Sequence, residues 1–242
     1  MAKEPKRIGA LRAQVDKDKA YSLEEAIALV KACATAKFDE TVELHMKTGL
    51  DGRHADQVLR GSVILPHGIG KDVRVLVFAE GEAATAAEAA GADIVGSDDL
   101  IKRVQGGFLD FDVAVAQREL MGKVGSLGRV LGPRGLMPNP RNNTVVGAED
   151  IARSVTEAKS GRVDFRIDRT NVLHVVLGKA SFTEDQIMGN LRAMVDEIQR
   201  NRPAGAKGDL IRTASITSTM GPGVRLDLME LKAGIVAGTG NN

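Results

Sequence analysis

The chain has 242 residues, 43% of them hydrophobic and 27% charged, with a formal net charge of +1. That profile fits a folded protein with one large or two moderate cores. It excludes a disordered chain, and it excludes a polycation that holds nucleic acid by bulk charge. Six Phe, one Tyr and no Trp exclude a broad base-stacking platform, and the single cysteine, Cys33, excludes an internal disulfide.

The chain begins with a basic stretch. Residues 1–19 carry six bases against three acids, with Ile8, Leu11 and Val15 at helical spacing, so an amphipathic helix is expected over residues 3–15. Ser22 and Glu25 form a capping-box pattern for a helix running to about Ala36. Cys33 sits on its apolar face, as a small buried residue would. Residues 41–47 alternate cleanly, Val42, Leu44 and Met46 inward and Thr41, Glu43, His45 and Lys47 outward, the mark of a half-buried antiparallel strand. A second apolar run over 61–66 closes on Pro66-His67-Gly68.

The pattern then changes. Apolar strands over 73–78, 92–95 and 111–116 alternate with helices over 80–90 and 98–105, and another helix begins near Arg118. Such alternation predicts βαβ units and a mostly parallel sheet. Residues 125–141 hold four Gly, three Pro and Arg129, Arg134 and Arg141, which reads as a rigid basic loop suited to phosphate or capping the sheet. A helix over 149–159 ends at Ser160-Gly161.

Alternation returns at Val163, Phe165 and Ile167. Asp168-Arg169-Thr170-Asn171 reads as a hairpin turn leading into a strand over 172–177. Thr183 and Gln186 cap a helix that ends before Pro203. The last strand, LIRTASITSTMGPGV over 210–224, carries Thr213, Ser215, Thr217 and Thr219 on one face and stops in Met220-Gly221-Pro222-Gly223. This hydroxyl row reads either as the wet side of a sheet or as a docking surface. Residues 232–242 read as a loose Gly-rich tail.

Antiparallel, then parallel, then antiparallel patterning predicts an α+β host domain with an inserted α/β Rossmann-like domain. The host takes residues 1–68 and 160–242, an antiparallel sheet with helices on one face, and the insert takes 69–159. Two chain crossings would form a double hinge. The segments 37–43, 168–170 and 210–224 all fall in the host, so the fold is expected to bring them together.

Catalytic signatures are absent from the sequence. The four histidines lack metal-like spacing, no nucleophile elbow or Walker loop occurs, and no GxGxxG follows the first βαβ strand, so no cofactor and no metal are expected. The N-terminus has no signal-peptide core and no apolar run reaches membrane-spanning length, so a cytoplasmic chain with no membrane partner is expected. An RNA binder, an enzyme acting on a nucleotide or sugar phosphate, and a hinged protein-interaction module all remain open on the residues alone.

Four stretches carry a resemblance: LGPRGLMPNP over 131–140, TAKFDETVE over 35–43, LPHG over 65–68 and TMGPGV over 219–224. Together they resemble the bacterial large-subunit ribosomal protein L-one family, collinearly over nearly the whole chain. The resemblance implies a host-plus-insert fold and a non-catalytic role on the ribosome. The implied partners are large-subunit rRNA at the mobile stalk, tRNA leaving the exit site and the protein's own operon mRNA, whose translation it would repress. Off the ribosome a monomer is implied. Carried over by motif, the RNA-binding residues would be Lys37, Phe38, Thr41, Glu43, Asp168, Arg169, Thr170, Thr213, Ser215, Thr217, Thr219, Met220 and Gly221. Arg129, Arg134 and Arg141 would be a secondary contact. This chain departs from the family where Asn-Asp-Lys and a turn Gly are usual: it has Ile167-Asp168-Arg169 and Asn171. Arg keeps the charge, and Asn tolerates positive φ.

Overall fold

The computed structural model describes residues 5–232, so all but the first residue of the tail expected over 232–242 lies outside the described residues. In chain order the helices and strands are α1 (Lys6–Arg12), α2 (Leu23–Cys33), β1 (Thr41–Thr48), β2 (Arg60–Ile64), β3 (Val75–Phe78), α3 (Glu82–Ala89), β4 (Ile94–Gly96), α4 (Asp98–Gln105), β5 (Val113–Gln117), α5 (Met121–Val124), α6 (Gly128–Leu131), β6 (Val145–Val146), α7 (Ile151–Lys159), β7 (Arg162–Arg166), β8 (Val172–Lys179), α8 (Glu184–Arg200), β9 (Ile211–Ser218) and β10 (Val224–Arg225). The chain divides into two compact units, Met1–Gly70 with Val163–Asn242, and Lys71–Arg162.

The first unit is built on a four-stranded sheet in the order β10-β9-β1-β8, its pairs antiparallel. Val42, Leu44 and Met46 of β1, Ala214 and Ile216 of β9, and Leu173, Val175 and Leu177 of β8 are buried on one face. Helices α2 and α8 cover that face with Ile27, Val30, Ile187, Leu191, Met194 and Ile198. Period-two strands meeting period-3.6 helices give one continuous apolar layer, and each fully buried Leu or Ile contributes about 1.5–3 kcal/mol of transfer free energy. Cys33 is buried in this core, and burial pushes its thiol pKa up, with Glu40 adding to the shift.

Local signals set the helix ends. The hydroxyl of Thr183 accepts from Gln186 N while the Gln186 side chain accepts from Thr183 N, a closed capping box. At α2 only half the box forms: Ser22 Oγ accepts from Glu25 N, but the Glu25 carboxylate turns to Lys19 Nζ at 3.2 Å. The second helix stops at Cys33, short of Ala36. The expected hairpin around Asp168 is also different. β7 pairs with β2 in a separate two-stranded sheet, while β8 pairs with β1, so this turn joins two sheets. Asn190, fully buried, donates to the carbonyls of Gly68 and Leu177 and accepts from His67 N, which fixes the Pro66–Gly68 corner.

The second unit holds a parallel sheet in the order β4-β3-β5-β6. All four residues of β3 are buried, as expected for a strand covered on both faces. One side packs Leu76, Phe78, Ala114 and Ala116 against Leu100, Val104, Leu120, Val124, Leu127 and Leu131. Residues 118–134, read from sequence as a helix start followed by a rigid loop, form an unbroken succession of short α and 3₁₀ turns. Leu120, Val124, Leu127 and Leu131 recur at helical spacing and bury one side, while Gly125, Gly128 and Gly132 adopt ordinary right-handed helical angles. The apolar period overrode the glycine signal.

Candidate nucleic-acid interface

The open face of the four-stranded sheet is where the first unit's polar side chains collect. β1 lies between β9 and β8, and its register pairs Glu43 with Thr217 and Val176, His45 with Ser215 and His174, and Lys47 with Thr213 and Val172. Alternation therefore sends Glu43, His45 and Lys47 to the face shared by Thr213, Ser215, Thr217 and His174. Ile211 does not join the row: a register irregularity between Lys47 and Thr48 buries it and exposes Arg212. The hydroxyls of Thr213 and Ser215 make no hydrogen bond to other described residues, so both are available to a ligand.

At one end of this face three chain segments are tied together. Thr219 N donates to Thr41 O at 3.0 Å, and Thr41 N donates to Thr219 Oγ1 at 3.0 Å. Thr217 Oγ1 donates within the turn, to Ser218 O at 3.0 Å. Two hydroxyls of the row are thus spent on holding the Met220–Gly223 turn rather than left free. Gly221 fits closely there: a Cβ would lie 2.5 Å from Ser218 Oγ, so the Ser218 side chain or the turn would have to shift. Beneath the turn sits a residue that sequence reasoning missed. Glu40 is 1% exposed, and its carboxylate accepts from Ala36 N and from Met220 N, each at 2.9 Å. Arg7 spans the same junction from α1, donating to Thr35 Oγ1 at 3.3 Å and to Met220 O at 3.0 Å. Burial pushes the Glu40 pKa up, but the two N–H bonds and the Arg7 guanidinium outweigh it and hold the carboxyl below its ordinary value. The ties leave Phe38 55% and Met220 46% exposed, with Lys37 exposed beside Phe38.

The Asp168 turn lies at the opposite end. Its carboxylate accepts from Thr170 N, the Thr170 hydroxyl and Val172 N, each at 2.8 Å. Those donors, Val172 N first, hold the carboxyl down at about 2. Asn171 takes the left-handed conformation at φ 63°, the role its amide side chain suits. Lys47 Nζ donates to Thr170 O, while Arg169 is exposed and unpaired among the described residues. The three expected segments therefore share one surface without meeting at a point. Thr41 and Lys47 mark its ends, roughly 20 Å apart along the strand, and His45 and His174 fill the middle.

In the second unit Arg129, Arg134 and Arg141 are exposed, and their guanidinium groups make no hydrogen bond or ion pair among the described residues. Arg129 lies on α6, Arg134 in the 3₁₀ turn Gly132–Arg134, and Arg141 in the 3₁₀ turn Pro140–Asn142. Among the described residues no group of three or more His, Cys, Asp or Glu could hold a metal ion, and no helix is long and apolar enough to cross a membrane.

What the geometry offers is a held polar surface with backbone, hydroxyl and cationic groups, and comparison with known proteins gives it a family. The Ribosomal protein L1p/L10e family matches residues 29–222. The chain is 55% identical over 219 residues to the large ribosomal subunit protein uL1 of Dehalococcoides mccartyi, covering 90% of this chain and 92% of that protein. It is 54% identical over 233 residues to the uL1 of Chloroflexus aggregans, covering 96% and 98%, and 55% identical over 228 residues to that of Chloroflexus aurantiacus, covering 94% and 96%. The match takes in all three segments of the surface, residues 35–43, 168–170 and 210–221, and the chain belongs to the Ribosomal protein L1p/L10e family.

Proposed function

We propose that this protein is a structural, non-catalytic component of the large ribosomal subunit, working in the cytoplasm, and that it docks large-subunit rRNA on the open face of its four-stranded sheet. The observation that carries the reading is the junction at Glu40. A surface that only had to be wetted would not need a buried carboxylate, an arginine and two threonine hydroxyls to fix one tight turn. A surface that must match RNA shape does, since rigid donors and acceptors lose little entropy on binding.

The chemistry fits RNA more than DNA or a peptide. Free hydroxyls at Thr213 and Ser215 and the backbone of the Met220–Gly221 turn can bond ribose 2′-OH and phosphate oxygens. Lys37 and Arg169, at the two ends, supply counterion release, and Phe38 and Met220 offer apolar contact to a ribose or base. Glu43 accepts from a 2′-OH or a base amino group. Asp168 and Thr170 hold the turn that presents Arg169. Thr41 and Thr219 hold the edge that presents Met220. The mobile stalk is the rRNA site this reading selects, with exit-site tRNA and the protein's own mRNA as further RNA ligands of a monomer. Arg129, Arg134 and Arg141 form a secondary, second-unit contact.

The test is affinity for a stalk rRNA fragment over a range of salt. Lys37→Ala and Arg169→Ala should each weaken binding and each lower the slope of log affinity against log salt by about one. Affinity no greater than that for an unrelated RNA of equal length would defeat the proposal. Competition by the protein's own mRNA leader and by deacylated tRNA tests the two further ligands.

A further inference from the structure

In the middle of the sheet face, His45 of β1 and His174 of β8 stand opposite each other, with their Nδ1 atoms 2.8 Å apart and their rings edge to face at 62°. Their outer nitrogens face carboxylates: His45 Nε2 is 3.8 Å from Glu43 and His174 Nε2 is 3.7 Å from Asp168. His174 is the more open of the two, its side chain 54% exposed against 26% for His45.

Proton counting makes this arrangement unusual. Two neutral imidazoles have four ring nitrogens and two N–H groups. One N–H must lie between the rings, because two bare nitrogens at 2.8 Å would repel. The other N–H can serve only one outer nitrogen. One Nε2 is therefore left bare with its lone pair toward a carboxylate. A single added proton gives both outer nitrogens an N–H, with Glu43 and Asp168 at 3.8 and 3.7 Å, beyond hydrogen-bond distance, so that both can turn to a ligand oxygen. A second would set two N–H groups against each other and part the rings. The pair thus has room for one proton.

We propose that His45 and His174 form a proton-accepting phosphate contact at the centre of the RNA-facing sheet, taking up one proton from solvent as an RNA phosphate settles beside them. This rests on the reading that this face docks rRNA. The surrounding groups explain why the proton waits for the ligand. Glu43 and Lys47 flank His45 on β1, Asp168 and Arg169 come from the turn, and β9 adds Ser215 opposite His45 and Arg212 beyond the register irregularity. Burial and the neighbouring His174 push the His45 pKa below its ordinary value, and Glu43 offsets this only in part. Glu43 and Asp168 offset Lys47 and Arg169, while Arg212 and, from β10, Arg225 paired with Ser215 leave the surroundings positive, so an added proton is held off until a phosphate anion offsets it.

The experiment uses the full chain and a fragment of large-subunit rRNA spanning the side stalk, at constant salt, from pH 8 to pH 6. Wild-type affinity should rise about 3- to 10-fold across that range, since one linked proton permits at most about tenfold per pH unit. Calorimetry near pH 7 in buffers of different ionisation enthalpy should show uptake of up to about one proton per complex. His45→Gln and His174→Gln should each abolish the uptake and flatten the pH profile. Wild-type binding with no proton uptake, or an unchanged profile in the His45→Gln, His174→Gln double variant, overturns the phosphate contact and leaves rRNA docking standing. Failure of the wild-type chain to prefer the rRNA fragment over an unrelated RNA at any pH overturns both.

Discussion

The two ends of the open sheet face differ in how far their central carboxylates reach along the chain. At the Asp168 end, every bond to the carboxylate comes from two to four residues away. At the Met220 end, beside local bonds such as Ala36 N to Glu40, three bonds join residues 178, 180 and 213 positions apart, through Thr219, Glu40 and Arg7. A local turn carries its own instructions and forms wherever its residues are present. A long-range junction forms only once α1, α2, β1 and β9 have packed, so it reports the integrity of the whole unit. The same surface can therefore lose one end and keep the other.

The largest break should come at Glu40. Glu40→Ala leaves the half-buried N–H groups of Ala36 and Met220 without their partner and a cavity where the buried side chain stood, at about 2–5 kcal/mol in total. Chemical denaturation measures this directly. Glu40→Gln keeps one acceptor oxygen and should cost less, about 1–3 kcal/mol, yet it should still misplace Met220 and weaken RNA binding. The pH dependence adds a sign. The folded pKa of Glu40 lies below its ordinary value, so its contribution is fully present above that ordinary value and is lost as pH falls through the folded one. Glu40→Gln should therefore remove part of the acid-induced loss of stability. An unaltered acid limb would show that Glu40 does not hold the junction as a carboxylate.

Gly221 and Gly223 sharpen the same end. They sit in one turn, but a Cβ at Gly221 would press on Ser218 Oγ at 2.5 Å, whereas one at Gly223 would meet nothing within 4 Å. Gly221→Ala should cost about 1–3 kcal/mol, and Gly223→Ala should fall within about 0.5 kcal/mol of wild type. Equal effects would mean that the turn is shaped by backbone freedom and not by the packing of Ser218.

Asp168→Asn should have a smaller and purely local effect. Its carboxyl, held at about 2, is stabilising above the unfolded carboxylate range and loses that role as pH falls toward 2. The amide variant should show less of that loss, with affinity reduced at the Arg169 contact and the Met220 end unchanged. A parallel loss of Lys37-dependent binding would contradict the independence of the two ends.

This contrast also sets what the chain disclosed before folding. Period-two alternation over Thr41–Thr48, the Thr183–Gln186 capping box and the turn at Asn171 are local, and each stands where its residues place it. Pairing is not local. Nothing in residues 160–180 says that β7 joins β2 while β8 joins β1, so a hairpin was the natural expectation. Nor does Glu40, one acid among many, announce that it will be buried. Thr217 and Thr219 belong to a legible hydroxyl row, but their hydroxyls bond to the turn and to Thr41, and only the register of β1 against β9 reveals that. His45 and His174, 129 residues apart, become a pair for the same reason.

The smallest expected effect tests the one place where a local signal misled. Glycine and proline in residues 125–141 read as a loop, yet the chain is helical in short turns through Arg134, with Leu120, Val124, Leu127 and Leu131 buried. Gly128 has φ −55° and ψ −30°, and a Cβ there would meet nothing within 4 Å. Neither conformation nor packing calls for glycine. Gly128→Ala should then stabilise the chain by about 0.5–1 kcal/mol, read as a shifted denaturation midpoint, because alanine loses less backbone entropy in a helical turn. Destabilisation would show that the turn depends on glycine in a way that its angles and open surroundings do not. Stabilisation would place Gly128 in a third category beside the two sheet ends: a residue whose apparent local instruction is overruled by the leucine period on the opposite side of its own helix.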